Sequence, residues 1–316
     1  MLNGVSKMQT PDPRNKNIFV FIDNQLVHRD DAKISVFDSA VQGGDAVWEG
    51  LRVYKGRIAA LDDHLQRLQN SAKTLAFEKI PSNQDIKNAI FKTLEKNNMW
   101  DESHIRLTLT RGKKTTSGMN PKLNQFGCTL IVLAEWKPPI YDNIGISVIT
   151  SSIRRNTPQC LDSKIHHNNL LNNILAMIEA NVAGVDSAVM LDVHGLISET
   201  NDTNIFLVKG GSLITPFADS CLPGLTRAMI LEIATTEAIS AKEKNLSITD
   251  LYTADEAFTT GTMGELTPIL KADGRIIGDG KAGPITKKMQ QLHRDFAYKN
   301  GNELPFKNPL ENQDLK

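Results

Sequence analysis

Apolar and polar positions change period several times along this chain, and each change marks an element. IFVFIDNQLV opens on an apolar run, Ile18 to Ile22, followed by the polar pair Asp23 and Asn24, which predicts a strand entering a hairpin. From Leu61 the period shifts. Leu61, Leu65, Leu68, Ala72 and Leu75 recur at steps of four and three, with Asp62 and Asp63 at the positive end of the helix dipole. A second helix is predicted after Pro81, with Ser82 and Asp85 as a variant capping box and Ile86, Ile90 and Leu94 along one side. Two strands, Ile105 to Thr110 and Cys128 to Ala134, flank the polar loop RGKKTTSGMNPKLNQFG, whose length favours a functional role.

WKPPIYDN, residues 136 to 143, has two prolines and little periodicity and reads as a linker. After it the pattern predicts a strand from Gly145 to Thr150 and a helix from Leu170 to Ala183 with Leu171, Ile174, Leu175 and Ile178 inward. SAVMLDVHGLIS, NIFLVKGGSLIT and ILKADGRIIG each read as a hairpin hinged on a glycine-containing turn. Two more helices are expected, one from Thr226 to about Ala241 and one from Pro284 through Met289, Leu292 and Phe296. The fold class is α+β in two halves. A flexible N-terminus (1–17) precedes a small α/β N-terminal domain (18–137); a linker (138–143), a larger α/β C-terminal domain (144–307) and a tail (308–316) follow.

Composition narrows the partners. Lys+Arg and Asp+Glu are 36 each, so the net charge is zero, which argues against life on nucleic acid or an anionic membrane. Cys128, Cys160 and Cys221 lie far apart with no paired spacing, so a disulfide scaffold or zinc ribbon is not expected and a reducing, cytoplasmic setting is. The N-terminal stretch is polar and broken by prolines, unlike a secretory signal, and the apolar runs are strand-sized. His166 and His167 are adjacent, so their side chains diverge, and no carboxylate stands at ligand spacing; a metal site is not expected. P-loop and nucleophile-elbow motifs are absent from the sequence, and a dinucleotide-binding reading lacks support. Two loops have the makings of anion sites. LPGLTRAM (222–229) ends a Pro-Gly turn and opens a helix, and TTGTMGELTP (259–268) combines tight backbone with hydroxyls.

Together these stretches carry a resemblance. SKIHHNNLLNNILAMIEANVAGVDSAVMLDVHGLISETNDTNIFLVKGGSLITPFADSCLPGLTRAMILEIA resembles the core of the class IV aminotransferases. VWEGLRVYKGRIAALDDHLQRL upstream, and DEAFTTGTMGELTP and GPITKKMQQ downstream, extend the likeness to roughly residues 18 to 295. These are pyridoxal-phosphate enzymes that include branched-chain and D-amino acid aminotransferases and aminodeoxychorismate lyase; the chain is most similar to the branched-chain group. The resemblance implies the two-domain fold of the D-amino acid aminotransferase-like enzymes. It also implies pyridoxal 5'-phosphate as cofactor, held in the cleft between domains, and a homodimer whose second subunit completes the site.

By the same resemblance Lys164 matches the lysine that forms the Schiff base, where a bland reading gives a solvated surface group. Glu199 in LISETNDTN matches the carboxylate that keeps the pyridine nitrogen protonated, and Arg67 in HLQRL the arginine that binds the phosphate. Leu225, Thr226 and Thr262 match the donors completing the phosphate cup, and Trp48, Arg52, Arg106 and Met263 the substrate side. The chain also departs from the pattern. Tyr-x-Arg becomes His104-Ile105-Arg106, one family tyrosine falls on Gly43, and the tyrosine touching the cofactor's 3-hydroxyl is replaced by Asn168 or Asn169. The Arg-x-His pair of the D-amino acid enzymes is absent. The implied activity is ping-pong transfer of an amino group from a branched-chain L-amino acid to an oxo acid such as 2-oxoglutarate. The alternatives are aminodeoxychorismate lyase, a D-amino acid aminotransferase, or a cofactor-binding protein without turnover.

Overall fold

A computed structural model describes residues 12–137 and 145–308. The expected linker over 138–143, and most of the expected flexible termini, lie outside these residues. Residues 12–17, expected to be loose, form a single 3-10 turn, Pro13–Asn17, capped by the Asp12 carboxylate. The described residues fall into two compact units: 12–137 with 165–169 and 297–308, and 145–164 with 170–296. Among them no helix is long and apolar enough to cross a membrane.

The first unit is built on an antiparallel seven-stranded sheet. Its elements are β1 (Phe19–Ile22), β2 (Gln25–His28), α1 (Ser39–Gly43), β3 (Ala46–Tyr54), β4 (Arg57–Ile58), α2 (Leu61–Thr74), α3 (Asn83–Lys96), β5 (Ser103–Thr110) and β6 (Thr129–Trp136). The predicted hairpin forms, with Asp23 and Asn24 at φ 47° and 69°, the left-handed backbone that a two-residue turn demands. The sheet order runs from the strand Asn302–Glu303 through β4, β3, β5, β6 and β1 to β2. The period read for α2 and α3 is the period that is buried: Leu61, Leu65, Leu68, Ala72, Ile86, Ile90 and Leu94 are fully enclosed. Ser82 caps α3, its hydroxyl accepting the Asp85 amide at 3.1 Å and donating to the Asp85 carboxylate at 2.6 Å. Strand alternation then sorts β3 and β5 into two faces. Val47, Leu51, Val53, Ile105, Leu107 and Leu109 belong to the core with α2 and α3. Trp48, Gly50 and Arg52 stand in register with Thr108, Arg106 and His104 on the other face.

The second unit holds a mixed nine-stranded sheet. Its elements are β7 (Ile146–Thr150), α4 (Leu171–Ala183), β8 (Ser187–Leu191), β9 (Ile197–Thr200), β10 (Asn204–Lys209), β11 (Ser212–Thr215), α5 (Leu225–Thr236), β12 (Ala241–Glu243), α6 (Ile248–Tyr252), β13 (Glu256–Gly261), β14 (Glu265–Ala272), β15 (Arg275–Ile276) and α7 (Pro284–Lys299). Strand order is β12, β11, β10, β13, β14, β7, β8, β9, with β15 beside β14. Phe206 and Phe258 stack at 5.3 Å between centroids, in a cluster with Ile230 and Ile233 of α5 and Met289 of α7.

Two expectations need correction here. On α4, Leu171, Ile174, Leu175 and Ile178 are 70%, 50%, 48% and 50% exposed rather than inward. Ala176 and Ala180 face the sheet instead, packed with Ala188 and Met190 of β8. Small side chains one turn apart let the helix lie close on the strand, and the larger ones fall on the opposite stripe. Helix α5 ends at Thr236, earlier than expected, because Ala238 takes φ 53° and the chain pairs from Ala241 as β12 against β11.

Candidate active site

In the second unit an irregular segment follows β7 and ends in a turn at Lys164. The Asp162 carboxylate accepts the Lys164 amide at 3.0 Å, and the Ser163 hydroxyl donates to the Asn156 carbonyl at 3.3 Å. The Lys164 side chain is exposed. A pinned backbone carrying a flexible stem and an exposed amine suits attack on a carbonyl. The same segment supplies Arg155, which stands in no motif that singles it out. Its Nε–H donates to Glu199 Oε1 at 2.6 Å, and both side chains are 6% exposed.

Glu199 lies on β9, whose four residues are all buried. Its Oε2 accepts from the Asn204 amide at 3.3 Å, and the same amide donates to the Leu222 carbonyl at 2.9 Å. Burial lifts the Glu199 carboxyl above the ordinary carboxylate range, and the Arg155 guanidinium works against that lift. Asn204 also accounts for Gly224: a Cβ there would overlap the Asn204 amide oxygen. Gly224 is the N-cap of α5 and offers no capping side chain, so the opening amides of Leu225 and Thr226 have no side-chain acceptor from it. Thr226 is buried. Thr260, which pairs with Asn204 across β10 and β13, has a buried hydroxyl with no hydrogen-bond partner among the described residues. Thr262 and Met263 sit half-buried in the turn between β13 and β14, where Glu265 takes φ 52°. Glu199, Asn204, Thr260 and the start of α5 are thus drawn together around one amide side chain.

In the first unit Arg67, His64 and His166 gather around Glu49. This glutamate interrupts the apolar face of β3 and is fully buried. Arg67 of α2 forks onto it, Nε to Oε1 at 2.8 Å and Nη2 to Oε2 at 2.6 Å. His64 Nδ1 lies 2.7 Å from Oε2, and His166 Nδ1 3.2 Å from Oε1. Burial alone would raise the Glu49 carboxyl, but His166 and Arg67 outweigh it and hold it well below the usual carboxylate range. The His166 ring tilts over Trp48 at 4.1 Å between centroids, and Arg106 makes a second contact with that ring, its guanidinium 3.4 Å from the Trp48 ring centre. Arg106 Nη2 donates to Asn168 Oδ1 at 2.9 Å. Asn169 instead reaches the Gly44 carbonyl at 3.2 Å. His104 stands beside Arg52 and Arg106 and over Gly50, whose Cβ position lies 3.2 Å from its Nε2. Burial pushes His104 down to about 3, with Lys137, Arg52 and Arg106 adding to it. At Gly43 a side chain would meet nothing within 4 Å.

The expected residues therefore form two groups, one in each unit. Lys164, Glu199, Leu225, Thr226, Thr262 and Met263 belong to one, and Trp48, Arg52, Arg67 and Arg106 to the other. Arg155, Asn204, Glu49 and His64 join them unforeseen, as does His166, whose place beside His167 had suggested no metal role. Of these Glu49 had a sequence signal, an acid at an inward position of an apolar strand.

Comparison with known proteins identifies the family. The family model described as amino-transferase class IV matches residues 46–272. The chain is 55% identical over 303 residues to the Arabidopsis thaliana "branched-chain-amino-acid aminotransferase-like protein 2", spanning 96% of this chain but 54% of that protein. It thus covers about half the length of that relative. It is 34% identical over 282 residues to the branched-chain-amino-acid aminotransferase of Escherichia coli K12, covering 86% of this chain and 91% of the relative. Among solved structures, an Escherichia coli branched-chain amino acid aminotransferase superposes with TM-score 0.85 at 32% identity, over 91% of this chain and 97% of that one. The T.th. branched-chain amino acid aminotransferase complexed with N-(5'-phosphopyridoxyl)-L-glutamate gives 0.84 at 31%, over 90% and 95%. With the matched region running from the strand that carries Trp48 and Glu49 to the end of β14, the chain belongs to the class IV aminotransferases.

Proposed function

We propose that the chain is a pyridoxal-phosphate-dependent transaminase that takes an amino group from a branched-chain L-amino acid and passes it to an oxo acid such as 2-oxoglutarate. The observation that carries this reading is the buried Glu199, tied through Asn204 to the turn that opens α5. The donor set fits the cofactor. A buried carboxylate suits a protonated ring nitrogen, and a helix start without a capping side chain, with the unpartnered Thr260 hydroxyl nearby in register, suits a phosphate. Glu199 would hold the ring nitrogen, and Leu225, Thr226 and Thr262 would hold the phosphate; the fork of Arg67, which the resemblance assigns to the phosphate, is taken by Glu49. When bound, the cofactor supplies an electron sink for the charge left at the substrate's Cα. Lys164 would provide the amine that holds the cofactor and the base for the Cα proton. On the first unit's sheet face opposite α2 and α3, Trp48 offers an apolar wall and Arg52 and Arg106 offer charge; Met263 of the second unit is the apolar residue that the resemblance assigns to the substrate side.

A homodimer belongs to the same reading. Leu171, Ile174, Leu175, Ile178 and Val182 expose one apolar stripe along α4, the kind of contiguous patch that a second copy covers. The relatives' names support the donor class. A panel of amino acids in both enantiomers with 2-oxoglutarate tests the function. Glutamate formed with L-leucine, L-isoleucine and L-valine is the expected result. Glutamate only with D-amino acids, pyruvate from aminodeoxychorismate without an acceptor, or no product at all each contradicts it.

A further inference from the structure

Glu199 is buried, and among the described residues the cation paired with it is Arg155, whose Nε–H reaches Oε1 at 2.6 Å. Other described groups facing the carboxylate are neutral or acidic. Asn204 donates from β10, the Leu222 amide favours the charged form, and Asp202 from the β9–β10 turn disfavours it. The Cys221 thiol is also nearby, held protonated by burial and by Glu199 itself. Arg155 is fixed in turn: its Nη1 donates to Asn172 Oδ1 at 3.1 Å, and its backbone amide to the Leu191 carbonyl at 2.9 Å. The Asn172 amide closes the loop by donating to the Arg154 carbonyl at 2.8 Å. The side chain that balances Glu199 is therefore pre-set by the first turn of α4 and the end of β8.

We propose that Arg155 is a positioning residue of the reaction, holding Glu199 ionised and aimed at the place where the ring nitrogen of the cofactor would sit. Arg155 touches neither cofactor nor substrate in this role. It acts through Glu199, and the strength of the electron sink depends on it. The inference rests on the reading of Glu199 as the cofactor's partner.

The test begins with the protein free of cofactor, so that it does not depend on cofactor binding. Infrared difference titration follows the Glu199 carboxyl, identified as the band that Glu199→Gln removes. Wild type should hold the ionised form to the lowest pH, Arg155→Lys should titrate higher, and Arg155→Met higher still, by about one to three pH units over wild type. Unchanged Glu199 titration in a folded Arg155→Met protein overturns the proposal. If Arg155→Met does not fold, wild type against Arg155→Lys decides by the same order. The second measurement is the 15N chemical shift of ring-labelled pyridoxal phosphate bound to each variant. A protonated ring nitrogen in wild type and in Arg155→Lys, and an unprotonated one in Arg155→Met, is the expected result; a protonated ring in all three overturns it. Failure of wild type to bind the cofactor would sink the transaminase reading, while the titration order would still judge Arg155.

Discussion

Arg106 shares a sheet face with Trp48 and is pinned there by the ring and by Asn168, so its charge points away from the helix-covered face of its strand. A charge-assisted pair with the distal carboxylate of 2-oxoglutarate is worth roughly 1.5–3 kcal/mol, or about 10- to 150-fold in binding. Arg106→Met should weaken 2-oxoglutarate by about that factor and leave an uncharged aliphatic oxo acid nearly unchanged, as read from KM for the two acceptors. Equal losses for both would assign Arg106 a structural role. Glu199→Gln keeps shape but removes the charge, so turnover should drop by orders of magnitude while the cofactor still binds, measured as kcat beside cofactor affinity; normal turnover would leave Glu199 as a plain buried acid. At this scale the sequence was half legible. Glu199, Lys164 and Arg106 stood in recognisable runs, but Arg155 and Asn204 did not, because their partners lie at other points of the chain and only folding brings them together.

Helix α2 shows why element periodicity reads well when one face is apolar. Leu65 is fully buried in the core of the first unit, and Leu65→Ala should cost about 2–5 kcal/mol in denaturant unfolding through the cavity it leaves. Helix α4 is the opposite case. It carries a small-residue stripe, Ala176 and Ala180, and a large-residue stripe, and nothing in the spacing tells which one meets the sheet. The helix boundaries were legible; the direction of burial was not. If a second copy covers the large stripe, Ile174→Asp with Ile178→Asp should convert a dimer to a monomer in light scattering. Retention of the dimer would place the contact elsewhere. The end of α5 was illegible for a related reason. Residues beyond Thr236 are compatible with more helix, and the parallel pairing of β12 with β11, a long-range contact, takes them instead.

Across the whole molecule, among the described residues, burial holds His104, His166 and His293 below the ordinary histidine value, and His104 and His293 illustrate the pH dependence that this sets. Burial holds His104 at about 3 and His293 at about 4, with Arg294 adding to the latter. Both stay neutral when folded, whereas an unfolded histidine takes a proton near pH 6.5. Below that value the unfolded chain binds more protons, so stability is fully present above about pH 6.5 and falls as the pH drops toward about 4. Thermal midpoints measured from about pH 7.5 down to about pH 4.5 should decline through that window, and less steeply in His293→Gln. A flat profile would mean that neither ring is held neutral. The proposed chemistry turns on pyridoxal phosphate being bound through Lys164 for amino transfer. Borohydride reduction of the cofactor-loaded protein, followed by digestion and peptide mass, tests this most directly. The reduced adduct is expected on the peptide carrying Lys164 and should be lost in Lys164→Ala; an adduct on another lysine, or none, would contradict the assignment.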